Sequence, residues 1–135
     1  MEPIKVAFHS HPRWLHVVRI LVKEVCRMTS FSRKDISSLV LAVDEACTNI
    51  MKHNYRGKTD GVIILECRLK KRDLQFVLKD KGFPMDCKKI RSRSLDEIRP
   101  GGLGVFFMKK MMDRVTYQRS NAWNIVTMVK NAKKK

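Results

Sequence analysis

The order of the apolar patterns along this chain predicts an α+β two-layer sandwich: a mostly antiparallel mixed sheet covered on one face by three helices. Three observations carry that prediction. Five short apolar runs read as strands, the first of them, Ile4 to His9, by its alternation. Apolar residues recur at helical spacing in three other runs. The order of the two kinds is β-α-α-β-β-α-β-β, with strands consecutive and helices segregated, which is the arrangement of an α+β domain. The 135 residues suit one domain spanning 1–135, since single domains commonly hold roughly 100–150 residues.

Each element has its own warrant. Ile4 to His9 alternates and reads as a first strand. Pro12 suits the first turn of a helix, where its missing N–H would be unpaired anyway. Trp14, Val17, Val18, Leu21, Val22 and Val25 then follow at helical spacing, so a helix is expected over Pro12 to Met28. Ser30 and Ser32 are N-cap candidates for a second helix from Arg33 to Asn54. Arg56, Gly57 and Asp60-Gly61 mark a turn. Val62–Leu69 and Leu74–Leu78 read as an antiparallel hairpin. A stretch at 84–101 has no period and carries Lys88, Lys89, Arg91, Arg93 and Arg99; a loop this long in a small domain suggests a functional lid or a disordered loop. Val105 to Met112 reads as a third helix, with Met108, Met111 and Met112 packing the core. Arg114–Gln118 and Asn124–Lys130 close the sheet around a turn at Ser120-Asn121, and a basic tail follows at 131–135.

Composition narrows the functional classes. Hydrophobic residues make up 44% and charged residues 31%, a folded rather than a disordered balance. The formal net charge of +16 points to an anionic partner without choosing among nucleotide, nucleic acid, membrane surface and acidic protein. No apolar run approaches the roughly 18–20 residues of a membrane helix. The opening residues MEPIKVAFHSHPRW lack a signal-peptide core, so a cytoplasmic location is expected. Cys26, Cys47, Cys67 and Cys87 contain no CxxC pair, which argues for reduced thiols rather than a metal finger. The four histidines form no metal-ligand pattern.

Three short motifs could carry chemistry. Glu45 and Asn49, with Lys52 and His53 beyond, share one side of the second helix. An Asn amide oxygen can serve Mg²⁺, and a Glu can take a proton from a hydroxyl. The same spacing also fits a solvated polar face. Asp80-Lys81-Gly82-Phe83-Pro84 stands at a strand end. A carboxylate there can accept from an exocyclic amine, and Gly82 allows close approach of the backbone. An ordinary turn has the same look. Gly101-Gly102-Leu103-Gly104 opens a helix, where free N–H groups favour phosphate. Neither GxxxxGK[ST] nor GxGxxG after the first strand is present, which disfavours P-loop and Rossmann sites.

Taken together and in this order, ExxxN, DxGxP, a lid and GGLG resemble the Bergerat-fold ATP site of gyrase, histidine kinases and mismatch-repair ATPases. LAVDEACTNIMKHNY, DKGFPMD and GGLGVFFMKKMMDRV are similar to the N, G1 and G2 boxes of bacterial anti-sigma-factor serine/threonine kinases. NIVTMVK is similar to that family's last strand, and the resemblance spans nearly the whole chain.

The resemblance implies roles residue by residue. Asn49 falls at the Mg²⁺ position and Glu45 at the general base for a substrate serine. Asp80 matches the adenine-binding aspartate and Gly82 the glycine beside it. Gly102, Leu103 and Gly104 match the phosphate-contacting turn. Thr127 matches a last-strand threonine near the adenine, and Lys52 and His53 lie where the family is polar near the nucleotide. The resemblance further implies ATP and Mg²⁺ as cofactors, a sigma factor and an anti-sigma-factor antagonist as partners, and a homodimer. Two other readings compete. One is an ATP-liganded module that sequesters a partner without phosphotransfer. The other, from charge alone, is nucleic-acid binding; it predicts affinity falling steeply with salt, but the sparse aromatics disfavour it.

Overall fold

The computed structural model describes residues 2–85 and 108–132. Five strands form one sheet: β1 (Ile4–His9), β2 (Val62–Lys70), β3 (Asp73–Asp80), β4 (Arg114–Ser120) and β5 (Trp123–Lys130). Their spatial order is β1-β2-β3-β5-β4, and each neighbouring pair is antiparallel. The expected sheet was mixed; among the described residues it holds no parallel pair. Two of the four pairs, β2–β3 and β4–β5, are joined by two-residue hairpins, too short for the crossover that parallel strands need.

Turn chemistry fixes those hairpins. Lys70 pairs with Asp73 around Lys71, whose φ is 58°. Ser120 pairs with Trp123, and the loop residues Asn121 and Ala122 have φ of 51° and 69°. Positive φ at both Asn121 and Ala122 makes the second loop a type I′ turn, whose twist matches the flanking strands. The turn therefore lies one residue later than Ser120-Asn121.

Helices follow the predicted spans with two changes. Pro12–Trp14 is a 3₁₀ turn, capped by His11 Nδ1 accepting from the Arg13 amide at 3.0 Å. It leads into α1 (Leu15–Cys26). Between the two Ser candidates, Ser32 is the N-cap of α2 (Arg33–Asn49); its Oγ accepts from the Asp35 amide at 3.1 Å. The chain then runs on as a π-wound turn, Ile50–Asn54. A short helical segment is described at 108–111, where Met108 and the following Met112 are buried, as the core assignment expects.

Strand alternation divides the sheet into two faces. Ile63, Leu65 and Cys67 of β2, Leu74, Phe76 and Leu78 of β3, and Val126 and Met128 of β5 pack under Val18, Val22, Leu39, Val43 and Ile50 of the helices. Each fully buried aliphatic or aromatic side chain here contributes about 1.5–3 kcal/mol. Cys26, Cys47 and Cys67 lie free within this layer, and burial pushes each thiol up to about 12, leaving almost no thiolate at neutral pH. Among the described residues no helix is long and apolar enough to cross a membrane.

The opposite face carries a buried acid. Glu66 is 1% exposed and meets Arg68 at 2.6 Å, Lys5 at 3.3 Å and Lys79 at 3.5 Å. Burial alone would raise its carboxyl, but the bonds from Arg68 and Lys5 and the Lys79 charge outweigh burial and lower it. A lowered folded pKa stabilises the fold above the unfolded value near 4.5, and that stabilisation is lost as pH falls through the folded pKa. Glu66→Gln is therefore expected to cost on the order of 1 kcal/mol at pH 7, a modest figure because the three cations are partly solvated. Urea titrations at pH 7 and pH 3 should show the gap closing at the lower pH; a gap of constant size would refute the assignment.

Candidate functional site

The C-terminal end of α2 meets the C-terminal end of β3, and polar groups converge there. Asp80 is fully buried at the strand end. Its Oδ1 accepts from the Gly82 amide and from Asn124 Nδ2, both at 2.9 Å. Its Oδ2 accepts from Asn54 Nδ2 at 2.9 Å. Asn124 lies directly across from Asp80 in the β3–β5 register. Its amide oxygen accepts from the Met85 amide at 3.0 Å and Arg119 Nη1 at 2.8 Å, and its nitrogen also donates to Phe83 O at 2.9 Å.

Tyr55 braces the same corner. Its hydroxyl donates to Val62 O and accepts from the Lys81 amide at 2.9 Å, tying the helix end to β2 and to the turn after β3. Burial pushes the Tyr55 phenol up, reinforced by the Asp80 charge and opposed by the two backbone bonds. Outside the corner, Arg56 stacks over the Phe83 ring at 3.6 Å and Lys81 over the Trp123 ring at 4.7 Å.

Winding decides which residues of the helix face this corner. Glu45 and Asn49 are half-buried and one turn apart on α2. At 3.6 residues per turn, Lys52 and His53 would share their side. The π-wound turn carries i→i+5 bonds instead, the Tyr55 amide donating to Ile50 O at 2.9 Å. The residue on Asn49's side is then the one five positions on, Asn54. Lys52 and His53 are exposed, while Asn54 is buried against Asp80. The structure thus does not bring Lys52 and His53 into the corner.

Thr127 is also displaced. It pairs with Val77 and Thr116, three residues beyond Asn124 on β5. An odd separation along a strand puts two residues on opposite faces. Thr127 therefore stands on the Glu66 face of the sheet, and Asn124 occupies the place beside Asp80. Gly102, Leu103 and Gly104, most of the proposed lid at 84–101, Cys87 and Lys133–Lys135 lie outside the described residues.

Gly82 is required by space rather than by its dihedral. A Cβ there would lie 2.5 Å from Asn54 O and 2.9 Å from Asn54 Cβ, and the Phe83 amide donates to that same Asn54 oxygen at 2.8 Å. The close neighbour among the described residues is thus the helix end itself. Gly82→Ala is expected to push the turn off the helix at a cost of about 1–3 kcal/mol. A thermal melt reads this directly, and an unchanged midpoint would show that the turn gives way freely.

Asn49 offers the group that a cation would take. Its side-chain nitrogen is buried and has no hydrogen-bond partner among the described residues. A buried polar atom of this kind calls for a partner. Turning the amide over presents its oxygen, the donor that hard Mg²⁺ prefers, and Mg²⁺ needs only one or two protein ligands. The residues present therefore fit that ion.

Comparison with known proteins places the whole domain in a family. The model of the histidine kinase-like ATPase domain matches residues 8–130. The chain is 28% identical over 140 residues to the serine-protein kinase RsbW of Bacillus pumilus, covering 96% of this chain and 86% of that protein. It is 30% identical over 138 residues to the RsbW of Bacillus velezensis, again covering 96% and 86%. Among solved structures, the RsbU and RsbW domains from Mycobacterium tuberculosis superpose with a TM-score of 0.69 at 16% identity, covering 97% of this chain and 32% of that one. The histidine kinase domain of a blue-light activated kinase from Erythrobacter litoralis gives 0.57 at 15% identity, covering 88% and 59%.

Proposed function

This chain belongs to the histidine kinase-like ATPase domain family, among the bacterial anti-sigma-factor serine kinases, and from that premise we propose that it is an ATP-dependent protein serine/threonine kinase working as an anti-sigma factor in a partner switch. Its acceptor would be a serine on an anti-sigma-factor antagonist, and phosphorylation would release that antagonist. One observation carries the reading: a fully buried carboxylate, Asp80, stands at a strand end against the helix that bears Glu45 and Asn49.

The roles follow from the chemistry of each group. Asp80 accepts from the exocyclic amine of the base. Asn124 and the Gly82 amide hold that carboxylate in place. Asn49 would hold Mg²⁺, which supplies charge neutralisation on the phosphates. Glu45 takes the proton of the acceptor serine Oγ as that oxygen attacks. The resemblance would give Gly102, Leu103 and Gly104 the phosphate contacts. The remaining parts of the reading are a single domain over 1–135 and a cytoplasmic location.

The proposal includes a homodimer. β1 is an edge strand, and beside it lies a groove of about 480 Å³ lined by Val6, Phe8, Trp14, Val17, Leu21 and Val62. Val17 and Ile20 of α1 are 53% and 51% exposed. A second copy related by two-fold symmetry would cover this apolar face and pair the open edge. Val17→Glu is expected to leave a monomer at concentrations where the wild type is dimeric, read by light scattering. A wild type that is monomeric throughout removes the dimer from the reading.

The test of the function is calorimetry with Mg·ATP on the wild type, followed by transfer of labelled phosphate to a candidate antagonist. Binding without any transfer would favour the sequestering module over the kinase. Absence of binding would sink both ATP-based readings and move attention to the basic surface.

A further inference from the structure

Asp80 raises a question of access. No solvent reaches it, and both oxygens are engaged. A carboxylate offers about four acceptor positions. Oδ1 already holds two donors and Oδ2 one, so the remaining position is on Oδ2, next to Asn54. A ligand's amino group can reach it only if a covering side chain moves.

The two amides are held with different firmness. Asn124 donates to Asp80 and Phe83 and accepts from Met85 and Arg119, so turning it breaks contacts on four sides. The Asn54 side chain makes one hydrogen bond among the described residues, the one to Asp80. Its backbone is pinned separately through the Phe83 amide, so the side chain can rotate while the helix end stays in place. Of the two, Asn54 is the one that can leave.

We propose that Asn54 sets the affinity and base selectivity of this site: its amide caps Asp80 Oδ2 in the free protein and must turn away before the amino group of a bound base takes that position. This rests on the reading of Asp80 as the base-binding carboxylate. The consequence is an exchange. An amino-bearing base trades one charge-assisted bond for another, so Asp80 favours it only weakly over a base without the amino group. Removing the cap lets the full bond count.

The experiment compares two ligands on three proteins. Mg·ATP and the 5′-triphosphate of purine riboside, which carries hydrogen in place of the amino group, are titrated into wild type, Asn54→Ala and Asn54→Ser. Preference for ATP over the purine analogue is expected to rise by about tenfold or more in both variants, the size of one hydrogen bond to a charged group. A general loosening of the fold would weaken both ligands together and leave that ratio unmoved. An unchanged or smaller ratio, with both ligands bound, overturns the cap while the ATP site stands. Failure of every protein to bind either ligand overturns the site and the cap together. Asn54→Ser keeps a small polar group and serves if the alanine variant does not fold.

Discussion

Replacing Glu45 with glutamine is expected to slow phosphotransfer by about 10²–10⁴-fold while ATP binding is retained. The two side chains have the same shape, so the half-buried position on α2 is kept. What changes is the ability to take a proton. The contacts proposed for the base and the metal belong to Asp80 and Asn49, which the substitution does not touch. Single-turnover transfer of labelled phosphate, with calorimetry beside it, separates the two effects. Transfer at the wild-type rate would show that another group removes the proton. Glu45→Ala adds a control for partner capture, which both the kinase and the sequestering module should preserve.

Asp80→Asn is expected to weaken ATP binding by about 10²-fold or more and to destabilise the free protein by roughly 1–3 kcal/mol. Three donors converge on this carboxylate: Asn54 Nδ2, Asn124 Nδ2 and the Gly82 amide. An asparagine supplies one oxygen and one NH₂, so at least one of those donors would face another donor. The exocyclic amine of a base would meet the same conflict. A thermal melt without nucleotide reads the first loss, and the missing ATP-induced shift reads the second. An Asp80→Asn protein that binds ATP like the wild type would place base recognition elsewhere.

The fold was largely legible because its two periods are clean. The alternation of Ile4 to His9 and the apolar stripe from Ile36 to Ile50 signal their elements without tertiary help. The candidates Glu45, Asn49, Asp80 and Gly82 come from motif order, and of these Asp80 and Gly82 meet in the corner. Asn54 was not legible, because its relation to Asn49 depends on a π-wound turn that no local propensity announces. Lys52 and His53 were the residues that a uniform α-helix would have placed there. Asn124 was missed for a different reason. Its partner Asp80 lies 44 residues away, so their meeting depends on which strands become neighbours. With β5 beside β3, strand alternation puts Asn124 with Asp80 and sends Thr127 to the other face.

Trp123 gives the corner a built-in optical signal. It precedes Asn124, and the ammonium of Lys81, the residue after Asp80, sits 4.7 Å from its ring centre. A positive charge held over an indole shifts its emission, and the shift depends steeply on their separation. Any movement of the turn after β3 would change that separation. With Trp14, the other emitter, replaced by phenylalanine, fluorescence becomes a direct readout of the Asp80 turn, free of labels and fast enough to follow binding in a stopped-flow mixer.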